Sequence, residues 1–157
     1  MRRRALLASS VFLFAAACGG SDSSSVTGTT GGTQTGPISA TIDGKAWGAT
    51  GVSVSYKNNL LVFSAFELAS GISLSVTSGV TAPGTYSLNF NNTNTGIGLV
   101  ILGTQSWSSA VQGGTGSLTI TTITANHVVG TFSFDAPPLS SATGTRHVTG
   151  GKIDATF

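Results

Sequence analysis

The chain has 157 residues, of which 8% are charged and 39% hydrophobic, with 22 glycines, one cysteine and a formal net charge of +2. Three of its seven basic residues are Arg2, Arg3 and Arg4, and from Cys18 onward four basic residues (Lys45, Lys57, Arg146, Lys152) face five acidic ones (Asp22, Asp43, Glu67, Asp135, Asp154), a net of −1. A near-neutral chain offers no basic patch to neutralise phosphates, which argues against nucleic-acid binding and against charge-driven adhesion to an anionic bilayer.

The first element is a leader. Three arginines precede an apolar run at 5–17, broken only by Ser9 and Ser10 and ending in Ala15, Ala16 and Ala17 directly before Cys18. Thirteen residues fall short of the roughly 20 needed to span the hydrocarbon core, so the run reads as a signal peptide over 1–17 and not as a membrane span. The small residues before the only cysteine resemble the lipobox of bacterial lipoproteins, with Ala15 in place of the usual leucine and Leu13 and Phe14 just upstream. That resemblance implies lipidation of Cys18 by diacylglyceryl and fatty acyl (palmitate-type) chains. Each buried methylene is worth about 0.8 kcal/mol, so two or three chains anchor a protein permanently. A lone cysteine in an exported protein has no internal disulfide partner, which leaves lipidation or intermolecular pairing, and lipidation needs fewer assumptions. Gly19 in place of aspartate after the cysteine points, by resemblance to known sorting rules, to the outer membrane of a diderm cell, on its periplasmic or surface face.

Residues 18–37 carry the cysteine and then GGSDSSSVTGTTGGTQTGP, with one charge and one valine. Such a segment buries too little apolar surface to offset its ordering entropy, and it is expected to be a disordered tether reaching roughly 25 Å. The 120 residues 38–157 suit a single domain with one core.

From residue 38 the sequence runs in short alternating stretches rich in Thr, Val, Ser and Ile, punctuated by glycine, asparagine and proline, with no helical period over ten residues. A strand at 39–42 turns at Asp43-Gly44, a type I′ hairpin dipeptide, into 45–49. The strand at 52–56 turns at Asn58-Asn59 into 60–67, whose opening residues are apolar on both faces and which is expected to be covered on both sides or to lie at a rim. Clean alternation at 72–76 marks one buried and one wet face. Pro83-Gly84 precedes 85–90, with Tyr86, Leu88 and Phe90 in register; a polar loop at 91–96 leads to 97–102. After a loop around Gly113-Gly114, the strand 117–123 turns Leu118 and Ile120 inward, and 128–135 does the same with Phe132 and Phe134. Pro137-Pro138 stops that strand, 146–149 follows, and Gly150-Gly151 permits a bulge before a last strand with Ile153, Ala155 and Phe157 inward. About ten short strands with tight turns predict an all-β fold, either an antiparallel β-sandwich or a partly closed barrel.

The segments IDGKAW (42–47), GTYSL (84–88), LTIT (118–121), GTFSF (130–134) and VTGGKIDATF (148–157), behind a Gly/Ser-rich tether, resemble an uncharacterised family of bacterial lipoprotein domains. The resemblance spans the whole predicted domain. It implies the lipoprotein character and brings no activity and no site residues.

No catalytic constellation emerges. Asp43 belongs to a turn, Asp135 and Glu67 close strands, and Asp154 alternates outward, so a carboxylate dyad such as Glu67 with Asp135 would need a tertiary coincidence. His127 and His147 stand twenty apart with no ligand at metal spacing and read as solvated. No serine lies in a nucleophile elbow, and GTGS at 114–117 lacks the following helix and lysine of a phosphate loop. Two tryptophans remain: Trp47 is expected in the core or as a lid over one end, and Trp107, between Ser106 and Ser108, as an exposed platform for stacking a ligand such as a sugar ring. The sequence thus reads as a non-enzymatic envelope lipoprotein without cofactor or metal, held to a membrane by lipid and binding a protein or glycan partner. The alternative is a small-molecule or glycan binder using a barrel-like cavity or exposed aromatics.

Overall fold

Hairpin chemistry and alternation organise the structure, a computed structural model that describes residues 36–76, 79–89 and 96–157. The predicted signal peptide, Cys18, the tether up to residue 35 and Phe90 lie outside the described residues. Among the described residues eleven strands form: β1 (Ile38–Ile42), β2 (Lys45–Gly48), β3 (Gly51–Lys57), β4 (Leu60–Glu67), β5 (Ser70–Val76), β6 (Gly84–Ser87), β7 (Gly96–Leu102), β8 (Gln105–Ser108), β9 (Thr115–Ile123), β10 (His127–Ala136) and β11 (Arg146–Thr156). They make two antiparallel sheets, one in the order β2-β1-β11-β10-β9-β6 and the other β3-β4-β5-β7-β8. Neither sheet closes into a barrel, and their inner faces pack as a sandwich around a filled core that includes Phe63, Leu74, Leu118, Ile120, Phe132, Phe134 and Ile153.

The predicted turns take the conformations their residues favour. Asp43 and Gly44 have φ of 49° and 80°, and Asn58 and Asn59 have 53° and 62°, all in the left-handed region a type I′ hairpin demands. The β4–β5 turn is different, because its positive φ of 50° falls on Leu68, a branched side chain that is also 97% exposed.

Several expectations are corrected. Strand β4 is covered on one face only: Leu61, Phe63 and Ala65 are buried, while Ser64 is exposed and Phe66 is 54% exposed. Alternation turns Phe66 outward, and its ring lies over its cross-strand neighbour Gly51, where an added Cβ would stand 2.2 Å from it. The strand β6 ends at Ser87, although Leu88 still reaches the core. Residues 105–108 form the edge strand β8, not a loop. The two last predicted strands are one, β11: register with β10 runs from Phe132↔Gly151 to Phe134↔Val148, so β11 carries one extra residue, and Gly150 at φ 59° is the bulge the sequence anticipates. Phe157 is half-buried, edge-on to Tyr56 at 6.2 Å, instead of fully buried.

Pairing of β1 with β11 sets the polarity of the molecule, because Ile38 faces Ile153 and Ile42 faces Val148. The chain therefore comes into the sandwich from Gly36 at a near end, beside the finish of β11. The Asp43-Gly44 turn, the β4–β5 turn and the start of β11 gather at the far end. Strand β1 joins the two in four steps of about 3.3 Å, so Ile38 and Ile42 stand roughly 13 Å apart.

Candidate functional site

The far end is indented. There a cleft of about 540 Å³ lies between the sheets, lined by Ile42, Asp43, Lys45, Ala46 and Trp47 of the first hairpin, Ser70 of β5, Leu102 of β7 and Arg146 of β11. A shallow hollow of about 300 Å³ on the outer face of the six-stranded sheet is lined mainly by hydroxyls, with Lys152 its one charged group. Of these two, the far-end cleft brings apolar walls together with groups of both charges.

Each wall has a local cause. The tight Asp43-Gly44 turn folds β2 back on β1, so Trp47 sits opposite Ala40 and turns inward at 6% exposure. Its indole N–H reaches across to the other sheet and donates to Ser70 Oγ at 3.0 Å, and Ser70 Oγ donates in turn to the Glu67 carbonyl at 2.8 Å. Trp47 is thus both core and lid, as expected.

Asp43 ties the first hairpin to β11, more than a hundred residues on. Its amide donates to the His147 carbonyl, its Oδ1 accepts from the His147 amide at 2.9 Å, and its Oδ2 accepts from Arg146 Nη1 at 2.8 Å. Burial by itself would raise the Asp43 pKa, but the His147 amide bond, the Arg146 bond and the positive charge of Arg146 together hold the carboxyl below its ordinary value. Arg146 is fixed from a second side, since its guanidinium carbon lies 4.3 Å from the centre of the Trp107 ring.

Trp107 is therefore not the exposed platform the sequence predicted. It is wholly buried, pairs with Val100 of β7, bridges to Pro138 and donates its indole N–H to the carbonyls of Gly144 (2.9 Å) and Thr143 (3.2 Å). The flanking hydroxyls that read as exposed are turned to other uses. Ser108 is buried, and so is the next residue, Ser109, whose hydroxyl accepts from the Gly98 amide at 2.8 Å. Trp107 holds the segment after β10 and presents Arg146 to the cleft.

The other polar candidates do not converge. His147 Nδ1 and Asp135 Oδ1 lie 2.7 Å apart across the β10–β11 ladder, and His127 Nε2 and Asp154 Oδ1 also lie 2.7 Å apart, both pairs on the exposed face. Glu67 belongs to the opposite sheet from Asp135. No group of three or more His, Cys, Asp or Glu suited to a metal ion occurs among the described residues. Sequence reasoning missed Lys45 and Arg146 as site residues. The GKAW segment carried the only available signal, a cation and a tryptophan two apart on one strand, hence on one face.

Residues 34–153 match the family model described as "Domain of unknown function (DUF6252)". No curated protein and no solved structure matches the chain.

Proposed function

We propose that this chain, which belongs to the DUF6252 family, is a lipid-anchored envelope protein whose sandwich works as a non-enzymatic binding module, with the far-end cleft as its binding site. One observation carries the reading: a cleft with apolar walls and charged groups opens at the end of β1 away from Gly36, which lies six residues, at most roughly 20 Å, back along the chain from Ile42. An anchor on the N-terminal side of Gly36 would attach at the end of β1 away from the cleft. The leader at 1–17, the lipobox-like Ala15-Ala16-Ala17-Cys18 and Gly19 support anchoring at Cys18 and an outer-membrane location. The Asp43 carboxylate is engaged by Arg146 and the His147 amide, and neither His–Asp pair lines the cleft, which supports binding over catalysis there.

The test is fractionation of cells carrying the wild-type and Cys18→Ser chains, with metabolic labelling by an alkynyl fatty acid. Wild type is expected labelled and in the outer-membrane fraction, and Cys18→Ser unlabelled and soluble. A Cys18→Ser chain that stays with the membrane would sink the anchor.

A further inference from the structure

The unspent donors of the cleft belong to cations. Both Asp43 oxygens are engaged, by the His147 amide and by Arg146 Nη1. The Trp47 indole N–H is spent on Ser70, and the Ser70 proton on the Glu67 carbonyl. The donors that remain are on Lys45 and Arg146. Lys45 is exposed and makes no hydrogen bond or ion pair among the described residues. Arg146 makes one hydrogen bond, through Nη1, and its Nε is buried without a partner, so its free donors are on the outer nitrogens.

Charge gives the same direction, with two cations against one carboxylate. The walls between them are Ile42, Trp47 and Leu102, and the volume falls within the roughly 300–1,000 Å³ usual for small-ligand sites. Arg146 is already fixed by Asp43 and the Trp107 ring, so its planar fork loses little further freedom when a ligand arrives.

We infer that the cleft binds a carboxylate carried on a single ring, with the carboxylate taken by Lys45 and Arg146 and the ring laid against Trp47, Ile42 and Leu102. A monoanion matches the net charge of the walls, whereas a dianion such as phosphate meets the Asp43 carboxylate. This inference rests on the far-end cleft being the binding site. The ring belongs either to a uronic acid sugar or to an aryl acid, which share this chemistry.

The test titrates the full chain, in a non-ionic detergent, with glucuronate, benzoate, glucose, methyl glucuronate ester and inorganic phosphate. The indole N–H resonance of Trp47 reports on the cleft and that of buried Trp107 is the control, each assigned from its Trp→Phe variant. Glucuronate, benzoate or both are expected to shift Trp47 saturably and leave Trp107 in place, and the tighter of the two identifies the source of the ring. Lys45→Ala is expected to bind about tenfold more weakly with an unchanged melting midpoint. Equal binding of glucose, the ester or phosphate overturns the carboxylate and leaves the cleft as a binding site. Undiminished affinity in Lys45→Ala overturns its role. Silence of Trp47 toward every probe overturns the cleft itself.

Discussion

The two ends of the sandwich are closed by different forces. At the near end the Pro37 carbonyl accepts from the Asp154 amide at 2.8 Å, the Phe157 amide donates to Asn126 at 3.0 Å, and the Tyr56 hydroxyl donates to the Val80 carbonyl at 2.6 Å beside the Tyr56–Phe157 ring contact. Main chain and apolar surface do most of the closing there, and the side-chain pair of that end, His127 with Asp154, is exposed and adds little. At the far end the closure is made by side chains: Asp43 with Arg146, Arg146 over Trp107, and Trp47 with Ser70. An end sealed by backbone leaves nothing to offer a ligand. One held by charged side chains leaves donors over.

The largest expected effect comes from breaking the near end. Deleting residues 153–157 removes Ile153 and Ala155 from the core and the pairing of β11 with β10 from Gly130 back to His127. The cooperative thermal transition followed by circular dichroism should disappear, and an unchanged midpoint would refute this view of β11. At the far end Trp107→Ala should cost about 3–5 kcal/mol in urea unfolding, since it empties a fully buried site and frees the segment after β10.

Asp43→Asn separates charge from shape, because asparagine tolerates the positive φ of that turn. A loss of about 1–2 kcal/mol at neutral pH is expected. The folded-state pKa of Asp43 lies below its ordinary value of 3.8, so its contribution is complete above that value and fades as the pH falls through the folded pKa. Wild type should therefore lose more stability than Asp43→Asn on acidification below 3.8, and parallel acid-unfolding curves would count against the ion pair. The smallest effect sharpens the comparison between turns of the same sheet. Asn58-Asn59 suits its left-handed backbone and Leu68 does not, so Leu68→Asn should stabilise by about 0.5–1 kcal/mol in the same urea titration.

Local chemistry made much of this fold legible. Turn dipeptides at 43–44 and 58–59, alternation in β4 and β5 and the glycine bulge in β11 are all written in neighbouring residues. What escaped depends on partners far away in the chain. Strand β8 has one apolar residue, and it exists because Leu99 to Leu102 pair with it on one side and Pro138 bridges to it on the other. Trp107 looked exposed because hydroxyls flank it, yet the segment that buries it lies more than thirty residues on. The cleft was the least legible feature, being assembled from both sheets and joined by a contact 103 residues long between Asp43 and Arg146.

That same pairing of the first strand with the eleventh fixes the order of assembly. Strands β3, β4 and β5 zip from short turns, but the β1–β2 hairpin must wait for β11, and closing so long a loop is slow because its entropy is lost before the contacts return it. A chain threaded N-terminus first through a narrow pore consequently keeps its larger sheet unmade until β11 is through. Such a delay makes the far-end cleft one of the last features to form.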